Sequence, residues 1–100
     1  MGRPIAFELD RKVFGDVVFL GEANPDQVAQ ALSRALRVEV RTRKPLFGKA
    51  RRRFQFAQED IELRLLPDGR FCLHLGLIDD EARETLIETL NLSPEFQYRG

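Results

Sequence analysis

The single cysteine and the single histidine of this 100-residue chain, Cys72 and His74, stand two residues apart. A thiol beside an imidazole is the raw material of a thiolate nucleophile. The surrounding stretch, from Phe71 to Leu75, alternates as a strand does, so the two side chains share a face. Residues at that spacing are roughly 7 Å apart at Cα. No third group that would orient the imidazole is evident, and two ligands are too few for a zinc site. Cys72 and His74 are therefore expected to be ordinary strand residues. A lone cysteine also excludes an intrachain disulfide.

Two other patterns deserve the same weighing. Asp79, Asp80 and Glu81 are three consecutive acids. Acids in such a run can hold a divalent cation, but at the start of a helix they cap free N–H groups and oppose the macrodipole, which is the simpler account. Gly48-Lys49 has neither the spacing nor the strand-to-helix setting of a phosphate-binding loop. No enzyme activity, metal or cofactor is expected.

The strongest signal is the distribution of charge. Seven of the fourteen residues from Arg41 to Phe54 are basic and none is acidic, in a chain of formal net charge zero. Residues 34–53 hold nine basic residues and one acid, Glu39, for a net +8. Residues 1–33 carry −2 and residues 54–100 carry −6. Such blocking points to a charged partner. Arginine outnumbers lysine thirteen to three, and its planar fork suits carboxylate and phosphate alike. The excess extends to Arg11, Arg83 and Arg99, so it is the clustering that marks the stretch, not the residue type.

These residues need elements to position them. Ile5, Phe7 and Leu9 alternate as a strand, followed by a turn at Asp10–Lys12 and a second strand around Val17–Leu20. Four apolar residues in a row there suggest a strand near the sheet centre. Residues 22–36 read as a helix with Asn24 as N-cap, Pro25 in the first turn and Gln27 placed for a capping box. Its buried face is Val28, Ala31, Leu32, Ala35 and Leu36. The following strand abuts it closely, so the helix is expected to stop a residue or two before Leu36. Val38, Val40 and Thr42 alternate with Arg37, Glu39, Arg41 and Arg43. Three more strands follow, carrying Phe54 and Phe56, then Ile61, Leu63 and Leu65, then Phe71, Leu73, Leu75 and Leu77. Glu59 and Asp60 are placed in a turn, as is Pro67-Asp68-Gly69. A second helix begins at Asp79 or Asp80, buries Ala82, Leu86, Ile87 and Leu90, and stops near Asn91.

The element order is β-β-α-β-β-β-β-α. It predicts a single α+β domain over residues 1–92, with a mostly antiparallel sheet, two helices on one face and a C-terminal tail over 93–100. The start of the chain lacks the apolar core of a signal peptide and no apolar run is long enough to span a bilayer, so a cytoplasmic protein without a membrane role is expected.

The opposite sheet face collects Arg37, Glu39, Arg41, Arg43, Arg53, Gln55, Glu62, Arg64, Arg70, Cys72 and His74. If this charge is only a solvated face that balances itself within the monomer, cross-strand pairs such as Arg64 with Glu39 are expected as modest local stabilisers. The candidate binding residues are Arg37, Arg41, Arg43, Lys44, Phe47, Lys49, Arg51, Arg52 and Arg53, with Phe47 as an apolar anchor. They suit a small protein-interaction module, an adaptor, inhibitor or assembly factor, docking an acidic partner that includes a second copy of the chain. The alternative is a nucleic-acid-binding accessory protein that uses the same surface on the phosphate backbone. No base-reading motif and no aromatic stacking platform accompany the arginines, which favours the protein partner.

Overall fold

Period-two alternation along the strands and a 3.6-residue period along the helices decide the layers. The structure, a computed structural model, describes residues 4–10, 16–20, 24–43, 51–76 and 78–99. In chain order the elements are β1 (Ile5–Asp10), β2 (Asp16–Phe19), α1 (Pro25–Leu36), β3 (Val40–Arg43), β4 (Arg51–Phe56), β5 (Glu59–Leu65), β6 (Phe71–His74), α2 (Asp80–Leu92) and β7 (Phe96–Tyr98). The strands form one sheet in the order β3-β4-β5-β6-β2-β1-β7. Neighbours are antiparallel except β1 and β7, which run parallel. This is the expected α+β fold, with both helices on one sheet face.

Register fixes which residues meet the helices. Phe7 lies opposite Phe19, Val17 opposite Leu73, Leu73 opposite Leu63, and Ile61 opposite Phe54. All of them are buried, in one cluster with Val28, Leu32 and Leu36 of α1 and Leu86 and Leu90 of α2. Each large apolar side chain taken from water there contributes about 1.5–3 kcal/mol. Val17, Val18 and Phe19 are all buried, because β2 lies between β6 and β1. That matches the unbroken apolar run.

The helix starts follow local chemistry. Asn24 Oδ1 accepts the Asp26 N–H at 2.8 Å and Pro25 opens α1. Gln27 is exposed, and among the described residues no side-chain bond of Gln27 completes a capping box. Asp79 Oδ1 accepts the Ala82 N–H at 2.8 Å, so the acids at the start of α2 act as a cap.

Four details differ from the pattern reading. First, α1 runs to Leu36. Arg37 takes a left-handed conformation (φ 56°, ψ 43°), and its N–H and that of Val38 both return to the Ser33 carbonyl. The chain turns sharply there without a glycine. Second, Glu59 and Asp60 belong to β5; the turn is Ala57-Gln58, both at positive φ (52° and 67°). Paired positive φ at a two-residue hairpin marks a turn that usually carries Asn-Gly. Third, Leu65 is 44% exposed, since it sits at the end of β5 that leads into the Pro67-Asp68-Gly69 turn. Fourth, residues 96–98, assigned to a tail, form β7, with Phe96 buried. Three residues are too few to show a period, and their partner is the first strand. The expectations for Asp10–Lys12 fall partly, and that for Leu77 wholly, outside the described residues. Among the described residues no helix is long and apolar enough to cross a membrane.

Candidate functional site

The sheet face away from the helices carries a cross-strand row of ionisable residues. Arg41 of β3 is the Cα partner of Arg53 in β4, and Arg53 of Glu62 in β5. Glu62 is the partner of His74 in β6. His74 Nδ1 donates to Asp16 Oδ2 of β2 at 3.0 Å, and Asp16 is the partner of Asp10 in β1. The row thus crosses six strands and changes sign, from two arginines at one edge to two aspartates near the other. A second row is similarly ordered: Arg64 opposite Cys72, Cys72 opposite Val18, and Val18 opposite Glu8.

The two ends of the gradient are not equally compensated. At the acidic end Asp16 is held twice, by His74 and by the Leu75 N–H at 3.1 Å. Arg70 is nearby; its pKa is raised chiefly by its hydrogen bond to Asp68 and further by the charges of Glu8 and Asp10. In the middle, Arg64 Nε reaches Glu62 at 3.4 Å, and not Glu39, which precedes β3 two strands away. At the basic end, Arg41 is exposed and Arg53 is half-buried, and neither pairs with a carboxylate among the described residues. Like charges set directly opposite in a ladder are destabilising.

The structure divides the nine residues expected to act together. Arg41 and Arg53 share the open face. Arg43 and Arg51 are Cα partners at the next position of the β3–β4 ladder. Arg52 turns the other way, as its alternation with Phe54 requires. Its Nη2 and Nε donate to Asp26 Oδ1 at 2.7 and 3.0 Å, and its side chain is only 18% exposed. It ties β4 to the first turn of α1, where an acid also opposes the macrodipole. Arg37 is elsewhere again. With Arg34, Leu92 and Glu95 it lines a shallow groove of about 320 Å³ at the C-terminal ends of the two helices. Arg34 is engaged there by a two-pronged bond to Glu95, 2.6 Å at the closest, which holds the Glu95 carboxyl below its usual range. Lys44, Phe47 and Lys49 lie outside the described residues.

The acid–histidine contact is what sequence reasoning missed. Asp16 and His74 are 58 residues apart, so only strand order brings them together. An ionised carboxylate can only accept, so Nδ1 is the donor in this contact. Cys72, on the same face, is nevertheless 5% exposed, and burial pushes its thiol pKa up, with the Asp16 charge adding to the effect. A thiol kept protonated by burial is a poor nucleophile. No family model, curated protein or solved structure matches the chain. What the face can do therefore has to be argued from its own residues.

Proposed function

We propose that this chain is a non-enzymatic protein-interaction domain whose basic sheet edge docks an acidic partner. The observation that carries this reading is the Arg41–Arg53 pair: two arginines that are Cα partners on the open face, neither in an ion pair with a carboxylate among the described residues. A partner carboxylate inserted there relieves the repulsion and accepts from both forks, whose planar geometry matches it. Electrostatic complementarity of this kind sets orientation and on-rate. The aromatic residues point the same way. Phe54, the ring nearest these arginines in sequence, is fully buried against the helices and offers no stacking surface to a base.

The test is fluorescence anisotropy with labelled polyglutamate beside labelled random single- and double-stranded DNA and RNA, at equal ionic strength. The protein is expected to prefer polyglutamate, and the Arg41→Glu/Arg53→Glu variant to lose that binding while remaining folded, with a midpoint lowered only slightly by the new like-charge pair with Glu62. Tighter binding to nucleic acid, with log affinity falling against log salt at about −0.9 per phosphate contacted on a duplex, would make this a phosphate-backbone binder instead.

A further inference from the structure

The basic edge is also an open hydrogen-bonding edge. Among the described residues β3 is the terminal strand of the sheet and pairs with β4 alone. In an antiparallel ladder, alternate residues direct their N–H and C=O groups to each side. Every second residue of Val40–Arg43 therefore presents its backbone pair outward, and among the described residues no strand receives it. The helix layer does not close over this edge: Thr42, on the helix side by register, is exposed, and Val40 is only half-buried. None of the four residues is proline, so each can donate.

An open edge has to be protected from its own kind, and charge is one means of doing so. Pairing of two β3 edges would set arginines against arginines, so this edge discriminates against a second copy. The same arginines favour a strand that alternates acids with apolar or β-branched residues. Added beside β3, such a strand places one set of side chains next to Arg41, with Arg53 one strand further in on the same face, and the other next to Val40 and Thr42. Main-chain bonds then give affinity and alternate side chains give selectivity. The shortness of β3, four residues, limits the ligand to a segment of similar length.

We propose that the partner binds by strand addition: an extended acidic segment of another protein extends the sheet at β3, with acids at every second position. This rests on the docking function proposed above and specifies its geometry.

The probe is a capped peptide of about ten residues alternating glutamate and valine. Binding is read by anisotropy, and the amides of Val40–Arg43 are followed by hydrogen exchange in NMR spectra of the whole chain. Strand addition predicts that the alternate amides which exchange freely in the unbound protein slow by roughly tenfold or more at saturation, because exchange then requires release of the added strand. A peptide of the same composition with proline at its central positions should bind at least about tenfold more weakly. If the peptide binds, and the Arg41→Glu/Arg53→Glu variant abolishes it, but those amides exchange as before, strand addition is overturned and docking to an acidic surface stands. If neither the peptide nor polyglutamate binds, both proposals fall.

Discussion

The two halves of the sheet solve different problems. On the side of β2, β1 and β7, rings carry the packing. Phe7 meets Phe96 edge-on at 6.2 Å and stacks with Tyr98 at 5.3 Å, and Phe19 lies 6.0 Å from Phe96. Even the face away from the helices is partly closed there, since Val18 and Cys72 are buried. Asp16 in this half is tied down, by His74 and by the Leu75 N–H. On the side of β3 and β4 the apolar contribution narrows to Phe54 and half-buried neighbours, and Arg41 and Arg53 have no such ties among the described residues. One half holds the domain together; the other presents a charge that the domain does not neutralise. Facing arginines add nothing to stability, which is what supports the docking function proposed above.

That contrast can be broken at its strong end first. Phe7→Ala removes a fully buried ring and its contacts to Phe96 and Tyr98, and should cost about 3–5 kcal/mol in urea unfolding. A loss below about 1 kcal/mol would mean that the aromatic half is not where the stability resides. Asp16→Ala is the next test, because it takes away the acceptor of a part-buried backbone N–H and the partner of His74. The expected loss is about 1–3 kcal/mol. The smallest effect belongs to the open edge and has the opposite sign. Arg41→Glu turns a like-charge cross-strand pair into an opposite-charge one and should stabilise by about 0.2–0.5 kcal/mol, an increment that shrinks with added salt. Destabilisation by that variant would show that Arg41 is part of the fold, and the distinction between the halves would fail.

Much of this was legible in the sequence because burial imposes periods. Val28, Leu32 and Leu36 announce a helix face, and Ile61 and Leu63 a strand face, and the structure buries all five. The alternation that turns Phe54 toward the helices turns Arg52 to the same side, so its separation from Arg53 was readable from parity alone. The turns were harder. At Arg37, Ala57 and Gln58 the backbone adopts positive φ without the glycine or asparagine that normally signals it. At these points the flanking elements, α1 and β3 at Arg37 and β4 and β5 at Ala57-Gln58, dictate the turn against local preference. The charge gradient was illegible for a different reason. Its basic end is contiguous in the chain, but its acidic end is assembled from β1 and β2, and joining them requires a strand order that no local pattern contains.

The parallel pairing of β7 with β1 also sets the order of events during synthesis. Of the described elements, β1 leaves the ribosome before all the others and β7 after them. Until Phe96 emerges, β1 has an unpaired edge and Phe7 lacks a ring that closes over it. Contacts so distant along the chain form late and slow the search for the native state. A nascent or truncated chain lacking these last residues would expose an apolar strand edge, the feature by which incomplete proteins aggregate. The short C-terminal strand thus acts as a latch: full protection of the first strand waits for the last one.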